Sequence, residues 1–224
     1  MSETMASEPA AVAASAEPAA QQPERPIPVG PLGAYVRARV SGLAAGYLAD
    51  RSKDVAALAA LRNAAGRPIG ASPQALQWTI AGLPDDVAVG GADPSSEELA
   101  THAAITLFAV HQQSNRAGSA HRSNRSIGHA VARLHGKGDN REGVQRRFDA
   151  LGTATDWEEI VRHARGLIQM LRGADIPLDY GVFAEDLAAL ADPRHADGVR
   201  LRWGRDFYRT VYRADAKAAK SATA

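Results

Sequence analysis

The stretch Gly198–Arg213, GVRLRWGRDFYRTVYR, decides the reading of this chain. At 100° per residue, Arg202, Arg205, Arg209 and Arg213 fall on one stripe roughly 80° wide. Val199, Trp203, Phe207, Val211, Tyr208 and Tyr212 are placed around the opposite side. That is an amphipathic helix with an arginine face and an aromatic face. The aromatic face is expected to be core, since a base-stacking surface needs exposed rings and this helix needs its rings for packing. Taken alone, the arginine face reads more readily as solvated surface than as a binding site, with Asp206 close by to pair with it.

Working back from that helix, the same signal recurs. Val36, Val40, Leu43 and Tyr47 follow helical spacing, and residues 53–65 carry Val55, Leu58 and Leu61. Ser72-Pro73 is a helix start, with a candidate cap and proline at the first helical position. Residues 82–94 form a loop rich in Gly, Pro and Asp. Ser95 with Glu98 makes a capping box that opens a strongly apolar helix to about Gln113. The polar stretch 114–125 is expected to be a mobile loop, followed by a short helix from Ser126 to His135. Val144, Phe148 and Leu151 mark another helix. Thr155 with Glu158 reads as a second capping box, for a helix to about Arg172. Asp179 caps a helix bearing Phe183, Leu187 and Leu190, and Asp192-Pro193 precedes the last one. Period-two alternation is missing. The expected fold is all-α, with about nine helices in one bundle or two packed lobes.

Residues 1–30, rich in Ala, Pro, Glu and Gln with no apolar face, are expected to be a disordered tail. The folded domain is set at 31–213, and 214–224 as a second tail. The 224 residues include no cysteine, which excludes disulfides and thiolate sites. No apolar run suits a membrane span and the N-terminus lacks a basic leader, so a cytoplasmic protein without membrane contact is expected.

The net charge is only +1. Its distribution is more informative. Between 116 and 147 stand Arg116, Arg122, Arg125, Arg133, Lys137, Arg141, Arg146 and Arg147, against Asp139 and Glu142 alone. A nearly neutral chain with one locally basic region suits contact with a polyanion on one face. Arginine, serine and asparagine with few aromatics suit phosphate binding without sequence specificity.

Catalytic and metal chemistry find no foothold in the sequence. The seven histidines form no HExxH and no paired spacing beside a carboxylate. His102 and His111 are expected on a helix flank. Glu97/Glu98 and Glu158/Glu159 sit in first helical turns, where capping explains them, and Glu185/Asp186 is expected to face solvent. No metal, cofactor or enzymatic activity is expected.

Six segments, TLFAVHQQS (106–114), SIGHAVARL (126–134), VQRRFDAL (144–151), ARGLIQMLR (164–172), IPLDYGVFAEDL (176–187) and GVRLRWGRDFYR (198–209), resemble the CasB family, the small subunit of the type I-E CRISPR surveillance complex Cascade. They keep the family's order and spacing from about residue 33 to 213. The resemblance implies an all-helical, non-catalytic protein, two copies of which line the belly of Cascade against the backbone subunits that hold the guide RNA. It implies that basic surfaces help hold the guide and target strands and steady the displaced strand, while cleavage belongs to a separate helicase-nuclease. The implied partners are the other Cascade subunits, backbone and large, CRISPR RNA, target DNA and a second copy of the chain. Carried over by position, the implied contact residues are Arg122, Arg125, His129, Arg133, Arg146, Arg147, Arg202 and Arg205. Arg116 and Arg141 join them from the basic region. Many relatives have arginine where this chain has His129, so a permanent charge is replaced by one largely neutral at pH 7. The competing reading is a stand-alone helical scaffold or adaptor whose arginines only solubilise it.

Overall fold

The computed structural model describes residues 26–87, 91–138 and 140–222. Among them are nine α-helices: α1 Pro31–Leu48, α2 Ser52–Ala64, α3 Pro73–Thr79, α4 Ser96–Gln112, α5 Ile127–Lys137, α6 Arg141–Thr153, α7 Trp157–Gly173, α8 Tyr180–Leu190 and α9 Pro193–Ala222. The fold is all-α. The β-like pairing in the described residues is an isolated bridge between His121 and Leu178.

α4 forms the centre because apolar side chains occupy positions on every side of it. Every residue from Ala100 to Gln112 is buried, beneath α1, α2, α3, α7 and α8. α5 packs chiefly on α9 and α6, and α9 returns to α8. The buried apolar side chains form one contiguous cluster from Leu32 to Phe207, so both groups of helices share a core.

Capping accounts for most helix starts. Ser95 and Glu98 form the reciprocal box, at 3.1 and 2.9 Å. Asp179 caps α8 through the amides of Gly181 and Val182. The start of α7 differs from expectation by one residue. Asp156, not Thr155, is the cap, and its carboxylate accepts from Glu158 and Glu159 amides. A carboxylate one position later suits the positive end of the helix better than a hydroxyl.

Four further expectations are corrected. The 114–125 loop is stitched down. The buried Gln112 amide donates to the carbonyls of Asn115 and Gly118 and accepts from Ala120 N. Arg122 N donates to Leu178 O, and Asn124 N to the buried Asp179 carboxylate. Buried backbone must find partners, and here a neighbouring segment supplies them. Asp186 is buried and Glu185 is half-buried rather than solvent-facing. Glu185 accepts from Gly30 and Gly33 amides at 2.5 and 3.2 Å, acting as a cap for α1 supplied by α8. His102 and His111 lie inside α4's packing, 4% and 3% exposed, not on a flank. Finally, α9 continues to Ala222, past the expected stop near Arg213, through an Ala/Lys-rich segment of high helix propensity.

The N-terminal tail lies mostly outside the described residues, at 1–25. The described remainder, 26–30, has no regular structure but is tied to the domain. Ile27 N donates to Asn124 Oδ1, and Arg37 donates to Ile27 O.

Candidate nucleic-acid interface

The predicted arginines divide into those used by the fold and those left exposed. Arg116 belongs to the first group. Its guanidinium lies 3.9 Å from the Tyr47 ring centroid, donates to Tyr47 O and pairs with Asp50 at 3.0 Å. It clamps the loop to the end of α1, away from the other candidates. Arg202 is also engaged. It meets Asp186 of α8 at 2.7 Å while the Trp203 indole N–H donates to the second carboxylate oxygen at 2.6 Å. Burial pushes the Asp186 carboxyl up from its ordinary range, and the bonds from Trp203 and Arg202 work against that rise. Arg202 therefore anchors α9 first and offers only part of its surface to a ligand.

α5 and α9 bring the second group together. They approach closely at Gly128, where a Cβ would overlap the Trp203 carbonyl oxygen. Ser126 links the pair by capping α5 through His129 N and donating to Asp206 at 2.6 Å. Asp206 is thus turned toward α5, not toward the arginine stripe. His129 sits at the same seam. Arg125 donates to its Nε2 at 2.9 Å, so that nitrogen carries a lone pair and Nδ1 holds the proton. Nδ1 then donates to Thr210 Oγ1 at 3.2 Å, and Thr210 donates to Asp206 O. His129 thereby bridges Arg125 to Thr210 of α9.

Arg122 and Arg133 are exposed on the α5 side of this seam, and Arg205, Arg209 and Arg213 on the α9 side. Among the described residues, no ion pair engages the last three. Arg141, Arg146 and Arg147 are exposed on α6, which is held to α9 by the stacked rings of Phe148 and Phe207 at 5.0 Å. Arg147 also reaches back to Gly143 O at 3.4 Å.

The aromatic face of α9 is only half core. Trp203 and Phe207 are 1% exposed, whereas Tyr208 and Tyr212 are 63% and 76% exposed. Helical geometry explains the difference. Tyr212 follows Arg205 by seven residues and so lies about 20° from it, on the arginine side. Residue type alone puts these rings on one face, whereas their helical angles separate them.

Two histidines are committed to the core. Burial lowers both His102 and His111 to about 4, so both are neutral. His111 Nδ1 meets the Tyr180 hydroxyl at 2.9 Å. Among the described residues, no three His, Asp or Glu side chains converge in a metal-ligating group. No helix there is long and apolar enough to cross a membrane.

The family model described as CRISPR-associated protein Cse2 matches residues 57–208. The chain belongs to the Cse2 family. The crystal structure of CasB from Thermobifida fusca is similar at 32% identity and TM-score 0.67, covering 80% of this chain and 99% of that one. The crystal structure of M. ruber CasB is 25% identical with TM-score 0.60, over 84% and 98% of the two chains. A chain of a CRISPR RNA-guided surveillance complex shares the fold at 23% identity and TM-score 0.65, over 84% and 99%. No curated protein sequence matches the chain. The Cse2 match spans every candidate arginine from Arg116 to Arg205 and ends on Tyr208, short of Arg209, Thr210 and Arg213.

Proposed function

We propose that this Cse2-family chain is a non-catalytic small subunit of a type I-E CRISPR surveillance complex that holds guide RNA and target DNA by their phosphates and steadies the displaced strand. The observation that carries the reading is the exposed arginine face at the α5–α9 seam: Arg122, Arg133, Arg205, Arg209 and Arg213 are exposed while Asp206, among the arginines of α9, is bonded to Ser126. Such a face attracts a polyanion, and contacts to its phosphates hold a strand whatever its sequence. Arg141, Arg146 and Arg147 extend the exposed charge onto α6. Membership of the Cse2 family and the shared fold with a chain of an RNA-guided complex support the assignment to such an assembly.

The non-catalytic reading rests on how the acidic and imidazole groups are used. Asp186 anchors α9, Glu185 caps α1, Asp179 caps α8 and pairs with Arg37, and His102 and His111 are buried and neutral. None is left at a surface beside a nucleophile.

Co-purification tests the assignment. Expressed with the backbone and large subunits and a CRISPR RNA, the chain is expected to elute with them in an RNA-containing particle. Elution by itself under conditions in which the other subunits assemble would favour the scaffold reading and refute this one.

A further inference from the structure

We propose that Tyr208 and Tyr212 of α9 form a base-stacking platform for a single strand, beside the arginine track that holds its phosphates. The inference rests on the phosphate-binding reading above and adds contact with the bases themselves.

Of the four large apolar side chains left exposed in the described structure, three lie on α9: Leu201, Tyr208 and Tyr212. At 100° per residue they fall within about 40° of one another. Arg205 borders this stripe, and Arg209, Arg202 and Arg213 follow in order around the helix, ahead of the line where Asp206 and Thr210 meet α5. Rings and guanidinium groups thus form two parallel tracks. From Arg202 to Arg213 the charged track runs for about 16 Å.

Three further features favour a nucleic-acid occupant. Every residue from Tyr212 to Ser221 is exposed, so the last turns of α9 stand clear of the body and an approaching strand meets no wall. Asp206, two residues before Tyr208, is turned to α5 and bonded to Ser126, and the next acid along the helix, Asp215, lies beyond Tyr212 and is followed by Lys217 and Lys220. Tyr208 is braced edge-on by the buried Phe207 ring at 5.1 Å between centroids, which leaves its own outer surface open. Exposed rings bordered by arginines suit single strands, because any unpaired base can stack while the backbone follows the charge. A duplex keeps its bases stacked inside and offers the rings nothing.

The test uses the full chain and a labelled oligothymidylate, an abasic strand of equal length and charge, and a duplex, with affinity measured by fluorescence anisotropy across a salt series. Wild type is expected to prefer the base-bearing strand over the abasic one. Tyr208→Ala and Tyr212→Ala are each expected to lower affinity for that strand by about five- to 150-fold, with no change for the abasic strand or in salt slope. Tyr208→Phe and Tyr212→Phe should retain wild-type affinity, since the ring is what stacks. Equal wild-type affinity for base-bearing and abasic strands would overturn the proposal, as would alanine variants that bind like wild type. Alanine variants that bind strands normally but no longer join the backbone subunits would overturn it too, and would assign the stripe to a protein partner. Failure of the phosphate-binding reading looks different: wild type would bind no strand, abasic or not, at low salt.

Discussion

Arg202→Ala separates anchoring from ligand binding within a single stripe. In the folded protein Asp186 is 3% exposed and holds two charge-assisted bonds, from Arg202 at 2.7 Å and from the Trp203 indole at 2.6 Å. A hydrogen bond to a charged group contributes about 1.5–3 kcal/mol. Arg202 is 56% exposed, so water can reach part of the space it leaves, which points to a loss of about 1–2 kcal/mol. For a chain of this size, that lowers the melting temperature by about 2–8 °C. Arg205→Ala, on the same helix but outside any ion pair, should change stability by no more than about 0.5 kcal/mol. The loss also carries a pH signature. Burial raises the folded pKa of Asp186, so this group favours folding at low pH, and that contribution is lost as pH rises through the folded value. Removing Arg202 removes a bond that restrains the rise. The variant's deficit should therefore be largest near neutral pH and shrink on acidification. Calorimetry of wild type, Arg202→Ala and Arg205→Ala at several pH values measures this. Equal melting temperatures for the two variants, or a deficit that grows toward acid pH, would refute the anchoring role.

Other expectations follow from the same geometry. Gly128→Ala places a methyl group against the Trp203 carbonyl and should cost about 1–3 kcal/mol in chemical denaturation, whereas Gly136→Ala, with open space around it, should not destabilise. Burial lowers His102 and His111 from 6.5 to about 4, so the unfolded chain binds two protons across that window that the folded chain does not. Stability should therefore fall as pH drops from about 6.5 to 4, by roughly 3 kcal/mol per histidine at the lower end, opposed in part by Asp186. A denaturation series with a flat pH profile there would contradict it. Truncation through Gly30 removes a donor to Glu185 and the Ile27–Asn124 bond, and should lower the melting temperature relative to truncation through residue 25.

The sequence carried the architecture because helix signals are local. Apolar spacing in α1, α4 and α9, the Ser95–Glu98 box and the Asp179 cap each involve residues within a few positions of one another. What it could not carry were pairings across long separations. Glu185 caps α1 from more than 150 residues away, and Gln112 holds a loop that polar composition alone marks as mobile. Arg116 and Arg202 resemble their neighbours in sequence, and only Asp50, Tyr47 and Asp186 reveal that both brace the fold. Tyr208 and Tyr212 were different. Their exposure follows from helical angle, which turns both toward the arginine side of α9 whatever their residue type.

The central claim is that the exposed arginines hold nucleic acid by its phosphates. The most direct measurement is the affinity of the assembled complex for target DNA across a salt series, for wild type and for Arg146→Ala/Arg147→Ala, with circular dichroism as the folding control. Each lost phosphate contact should flatten the slope of log affinity against log salt by about 0.7–0.9, equally for all target sequences. A variant that folds and assembles but keeps the wild-type affinity and slope would contradict the account.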